Sequence, residues 1–124
     1  MLVEDQADFR RLMSAWLARE PDLEVVAQAG SLNEARGQAA TVSFEVAVLD
    51  LGLPDGNGID LIAELRRGAN PGAAVLVLSA SLDPTSLESA AQAGADEILD
   101  KFATPGEVVG AIRRLGTGKA TDTS

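Results

Sequence analysis

Apolar residues fall along this chain in two alternating patterns. Short unbroken runs, Val46 to Leu49 and Ala74 to Leu78, are rich in β-branched residues and bounded by turn residues. That is the mark of strands buried on both faces. Between such runs the apolar positions recur at helical spacing, as with Phe9, Leu12, Met13, Trp16 and Leu17 in the stretch Ala7 to Arg19.

Taken in order, Met1-Leu2-Val3 is a short first strand, running straight into Glu4-Asp5. A helix follows from Ala7, with Asp8 in its first turn and Pro21 closing it. Leu23 to Ala27 reads as a second strand, broken by Gly30. Ser31 with Glu34 is a capping-box signature and opens a helix to about Ala40. The third strand is Val46 to Leu49, ending on Asp50, and a glycine-rich turn leads to Asn57, which caps a third helix. Ala74 to Leu78 ends on Ser79, and Pro84 starts a helix that stops at Gly94. Glu97 to Leu99 is the fifth strand and leads into Asp100-Lys101. Thr104, before Pro105 and with Glu107 three residues on, caps a last helix through Leu115. The expected domain spans residues 1–116, and 117–124 read as a flexible tail or the start of a linker. Strict strand–helix alternation predicts a doubly wound α/β domain, (βα)5, with a parallel sheet covered on both faces.

Composition narrows the field. At 124 residues there is room for one core. Cysteine and histidine are both absent, which removes disulfides, thiolate and imidazole ligands, and any Ser-His-Asp arrangement. The net charge of −9 argues against nucleic-acid binding by this domain itself. No apolar run reaches the roughly 20 residues of a membrane span. A cytoplasmic location is the expectation.

In a parallel sheet the carboxyl ends of all strands share one edge, where open α/β sheets bind ligands. That edge would collect Glu4 and Asp5, Asp50, Ser79 and Lys101, residues far apart in sequence. Three clustered carboxylates repel unless a cation or protons are present. Hard oxygen ligands suit Mg²⁺. The chemistry such a set supports is phosphoryl transfer onto a carboxylate. Asp50 would attack, the metal and Lys101 would neutralise the equatorial oxygens, and Ser79 would hydrogen-bond the product. Each residue also has a plainer reading. Asp50 could be a turn carboxylate, Glu4-Asp5 a solvated pair with Asp5 capping the first helix, Lys101 a surface lysine, and Ser79 a partner for a backbone group.

These pieces together resemble the receiver domain of two-component response regulators over nearly the whole chain. The matching segments are Glu4-Asp5, the stretch Asp50 to Pro54 with Gly58, Leu78-Ser79-Ala80, and Gly94-Ala95-Asp96 leading to Lys101. The text after the second strand and in the last helix is most similar to the NarL/FixJ subgroup. The resemblance implies a flavodoxin-like sheet of order 2-1-3-4-5 and Asp50 as phosphoacceptor. It further implies metal binding by Glu4, Asp5, Asp50 and the Gly52 carbonyl, with Asp5 a direct ligand, and Ser79 with Lys101 as the phosphate-sensing pair. The implied partners are a sensor histidine kinase, a second copy in a homodimer, and a C-terminal helix-turn-helix output domain not present in these 124 residues. Two positions depart from the family. Phe102 stands where proline, with a cis peptide, is common, and a cis bond before a non-proline residue costs about 2.5–4 kcal/mol, so that feature is not expected here. Ile98 stands where an aromatic switch residue is common. Both departures, with the short first strand, favour the alternative of a degenerate receiver that acts as a phosphorylation-independent interaction module. A hydrolase using an aspartyl phosphate would place a second aspartate two residues after the first, and that position is Gly52.

Overall fold

A computed structural model of the protein describes residues 1–80 and 83–122, with side chains described as far as residue 116. In chain order the elements are β1 (Leu2–Val3), α1 (Ala7–Ala18), β2 (Gln28–Ala29), α2 (Leu32–Thr41), β3 (Val46–Asp50), β4 (Gly52–Leu53), β5 (Gly56–Asn57), α3 (Gly58–Arg67), β6 (Ala74–Ser79), α4 (Pro84–Ala93), β7 (Glu97–Asp100) and α5 (Pro105–Asp122). Five strands form a sheet of order β2-β1-β3-β6-β7, and every neighbouring pair in it is parallel. β4 and β5 pair antiparallel as a separate two-residue ribbon. With the ribbon set aside, the order is the expected 2-1-3-4-5 of a flavodoxin-like, doubly wound sheet.

Side chains on successive strand residues point to opposite faces, and the two faces carry separate cores. On one, Val3, Leu49, Val75 and Val77 pack with Leu32 of α2, Leu61, Ile62 and Leu65 of α3, and Ala90 of α4. On the other, Leu2, Val48, Leu76 and Leu78 meet Met13 and Leu17 of α1 and Val108 and Ile112 of α5. Helices on both faces explain why β3 and β6 are apolar without alternation.

The helix ends follow the sequence signals. Ser31 Oγ accepts the Glu34 amide at 3.1 Å, Asn57 Oδ1 the Ile59 amide at 2.9 Å, and Thr104 Oγ1 the Glu107 amide at 3.2 Å. Pro84 lies in the first turn of α4 behind Asp83, and Gly94 closes that helix at φ 119°, a conformation that favours glycine.

Two boundaries differ from the sequence reading. The second strand is Gln28–Ala29, not Leu23 to Ala27. Its register pairs Gln28 with Leu2 and Ala29 with Val3. The last helix continues its backbone through Asp122, beyond Gly116 where the tail was expected to begin, and 123–124 lie outside the described residues. Among the described residues, no helix is long and apolar enough to cross a membrane.

Leu76 is fully buried in the central strand pair, whereas Leu12 on α1 is 49% exposed. Leu76→Ala should lower unfolding free energy by about 2–5 kcal/mol. Leu12→Ala should change it by no more than about 0.5 kcal/mol. Urea denaturation of the two variants beside the parent checks the contrast.

Candidate functional site

The parallel sheet gathers its strand ends as the topology requires. Glu4 follows β1, Asp50 ends β3, Ser79 ends β6 and Lys101 follows β7. Among the described residues, these four are the buried polar or charged side chains, at 2%, 9%, 7% and 7% exposure. Long and charged side chains are seldom fully buried unless paired, so their burial together marks this edge as a built site. Asp5 and Gly52 stand exposed at its mouth.

One oxygen from each of Glu4, Asp5 and Asp50 can lie within 4.8 Å of the others. The Lys101 ammonium sits against this cluster. Its Nζ is 2.9 Å from Glu4 Oε1 and 2.9 Å from Asp50 Oδ2, and it donates to Gln6 Oε1 at 3.1 Å. An ammonium has three protons, and here three oxygens face it. The Phe9 ring lies 5.1 Å from Nζ, within range of a cation–π contact.

The remaining oxygens are held by backbone. Glu4 Oε2 accepts the Gln6 amide at 2.9 Å, and Asp50 Oδ1 accepts the Gly52 amide at 3.2 Å. Arg10 donates to the Glu4 carbonyl at 2.6 Å, tying α1 to the end of β1.

Burial pushes the Glu4 carboxyl up from its ordinary value, and the Gln6 amide and Lys101 only partly oppose this. Burial pulls the Lys101 ammonium down. Its hydrogen bonds to Asp50 and Glu4, with their charges, outweigh that, so its proton is held above the ordinary lysine range.

Sequence reasoning brought Glu4, Asp5, Asp50, Ser79 and Lys101 to one edge, and the structure places them there. It missed Gln6. Gln6 occupies the N-cap of α1 without capping it, and its carboxamide goes to Lys101 instead. A residue poorly suited to capping at that position was the available signal. Asp5 is not the cap. The departures also find their places. No cis peptide occurs among the described residues, so Lys101–Phe102 is trans. Asp100 makes that bend instead, its Oδ1 accepting the Phe102 amide at 2.8 Å, and the Phe102 ring is 79% exposed. Ile98 packs, half-buried, against the core that holds Val75 and Val77.

The candidate ligand atoms of the cluster, from Glu4, Asp5 and Asp50, are all hard carboxylate oxygens, with Asp5 exposed. That set fits an oxygen-liganded divalent cation that keeps several waters.

Comparison with known proteins places this geometry. Residues 1–113 match the family described as the response regulator receiver domain. The chain is 34% identical over 117 residues to the transcriptional regulatory protein UhpA of Salmonella typhimurium, covering 94% of this chain and 58% of that protein. It therefore spans somewhat over half the length of that curated relative. A CheY-like receiver domain protein from Methanospirillum hungatei superposes with a TM-score of 0.91 at 21% identity, covering 98% of this chain and 94% of that one. That likeness speaks to fold alone. A response regulator from Burkholderia pseudomallei, solved with a phosphorylated aspartic acid, calcium ion and citrate, has a TM-score of 0.83 at 28% identity, covering 98% and 70%.

A raised Glu4 pKa has a definite sign. The folded state takes this proton up first on acidification, so the group's contribution to stability is complete below its ordinary 4.5 and lost as pH rises through the folded value. Carbon-detected NMR of the Glu4 carboxyl should give a midpoint above 4.5, and a higher one still in Lys101→Met, which removes the ion pair. A midpoint at or below the ordinary value would contradict this electrostatic account.

Proposed function

The chain belongs to the response regulator receiver family, and from that premise we propose that it accepts a phosphoryl group on Asp50 from a sensor histidine kinase or a small phosphodonor. The observation that carries the proposal is the convergence of Glu4, Asp5 and Asp50, with Lys101 2.9 Å from two of them.

In the proposed reaction a carboxylate oxygen of Asp50 attacks phosphorus. The bond from phosphorus to the donor's leaving atom breaks, and its electron pair departs with that atom. The product is an acyl phosphate. Asp5, with Glu4, Asp50 and the Gly52 carbonyl, would hold Mg²⁺, which supplies charge neutralisation for the transferred oxygens. Lys101 is cationic throughout the working pH range. It pairs with Asp50 before transfer and has protons to offer a phosphoryl oxygen afterwards. Ser79, at the adjacent strand end, supplies a hydroxyl to the same product. Burial of Asp50 limits access of water to the acyl phosphate, so its loss is slow and the domain serves as a signalling module rather than a turnover enzyme.

Phosphorylation adds charge and acceptor oxygens at this edge. Redirecting Lys101 and Ser79 toward them biases the surface of α4, β7 and α5 between two arrangements. Ile98 is not an aromatic switch, so that bias runs through the strand ends themselves. The output is homodimerisation or release of an attached domain, with a DNA-binding module the best-supported kind because relatives such as UhpA are transcriptional regulators. We place the receiver unit at residues 1–116, with the remainder leading toward that domain, and the protein in the cytoplasm.

Incubation with acetyl phosphate, read as intact mass, tests the proposal. One phosphoryl increment is expected, dependent on Mg²⁺ and absent from Asp50→Asn. A folded protein that takes up none, or an Asp50→Asn variant that still does, would overturn it. The first result would favour a phosphorylation-independent interaction module.

A further inference from the structure

Residues 51–57 leave β3 directly after Asp50 and fold into the β4–β5 ribbon. Its root is closed by the Gly58 amide, which donates to the Leu51 carbonyl at 2.8 Å. A Cβ on Gly58 would lie 2.8 Å from the Asp50 carbonyl oxygen and 2.9 Å from Leu51 Cα, so backbone approaches backbone closely there.

The tip of the ribbon, Pro54-Asp55, is tied as firmly to a different element. Asp55 Oδ1 accepts the Leu32 amide at 2.7 Å, and Oδ2 accepts the Asn33 amide at 3.0 Å. These are the first two amides of α2, which have no acceptor within the helix. Their hydrogen bonds, Leu32 first, hold the Asp55 carboxyl below its ordinary value. Beside them Gly56, at φ 151°, lies against Leu32, where a Cβ would come within 2.6 Å of Cδ1.

Gly52, between root and tip, is otherwise unsupported on its side-chain face: a Cβ there would meet nothing within 4 Å. Its amide donates to Asp50 Oδ1 at 3.2 Å and it pairs with Asn57 across the ribbon, so its carbonyl is placed by the ribbon and by the ribbon's two anchors. The α2 anchor is itself registered to the acidic pair, because Glu4 donates its amide to the Ala29 carbonyl of β2 at 2.9 Å, and α2 begins three residues later. A closed path of contacts thus runs from Glu4 through Ala29, the start of α2 and Asp55 to Gly52 and Asp50.

We propose that Asp55 is a positioning residue, whose carboxylate straps the ribbon to α2 and so fixes the Gly52 carbonyl for a divalent cation held with Asp5 and Asp50. This rests on the metal-site reading above and adds a residue to it that touches neither the cation nor the phosphoryl group. A purely structural role, in which Asp55 merely caps α2, would make it interchangeable with Ser31, which caps the Glu34 amide of the same helix at 3.1 Å.

The test is an Mg²⁺ titration followed by the Gly52 amide shift in the NMR spectra of the parent, Asp55→Ala, Asp55→Asn and Ser31→Ala, with urea stability measured for each. Asp55→Ala should raise the Mg²⁺ Kd about tenfold, as losing a supporting partner of a metal ligand commonly does. Asp55→Asn should fall between it and the parent, since the carboxamide keeps one acceptor oxygen. Ser31→Ala should leave the Kd unchanged while lowering stability. An unchanged Kd in both Asp55 variants would overturn the inference, as would a Ser31→Ala variant weakened as much as Asp55→Ala. Absence of Mg²⁺ binding by the parent would overturn the metal-site reading, and the strap's proposed purpose with it. If Asp55→Ala does not fold, Asp55→Asn against Ser31→Ala decides the question.

Discussion

A single ammonium shared between two buried carboxylates is the constraint on which this molecule's functional edge depends. Glu4 and Asp50 are both nearly inaccessible, and Asp5 adds a third carboxylate beside them. Like charges so placed cannot all ionise without compensation. Lys101 supplies it, with Gln6 taking its third proton and Phe9 flanking it. With all three carboxylates ionised, three negative charges and one positive leave two, the charge of a divalent cation. The edge is therefore balanced enough to fold while keeping a net negative charge, which the divalent cation proposed above would offset.

The fold makes this economy possible. Residues 4, 50, 79 and 101 meet because parallel strands deliver every carboxyl end to the same edge. β3 and β6, buried on both faces, hold that edge against two separate cores. A charged site at the rim of an apolar sheet can then be rigid without being deep. The β4–β5 ribbon, which follows Asp50 directly, lies off the main sheet and is anchored at both root and tip.

The residues that form the site were legible because their signal is topological. An apolar run that ends on a carboxylate says where the carboxylate goes once strand–helix alternation has fixed the sheet as parallel. Ser31, Asn57 and Thr104 were legible as caps because capping is local chemistry. The features the sequence did not yield are those decided by partners distant in the chain. The second strand lies at Gln28–Ala29 through its pairing with Leu2 and Val3, a contact between distant residues that the apolar run Leu23 to Ala27 does not show. Gln6 reaches across ninety-five positions to Lys101, and Asp55 reaches back to α2 over more than twenty. No short-range pattern encodes either bond. Phe102 was legible as a departure, but not the Asx turn by which Asp100 shapes the bend in its place.

The measurement that reaches the central claim most directly is a double-mutant cycle on folding stability between Asp50→Asn and Lys101→Met, in the absence of metal. Removing one partner of a buried pair typically costs about 3–5 kcal/mol because a charge is left uncompensated. Lys101→Met alone should therefore destabilise strongly, and adding Asp50→Asn should restore part of that loss, so the double variant is more stable than Lys101→Met. Strictly additive effects, or a Lys101→Met variant as stable as the parent, would contradict the account that one shared ammonium makes this edge possible.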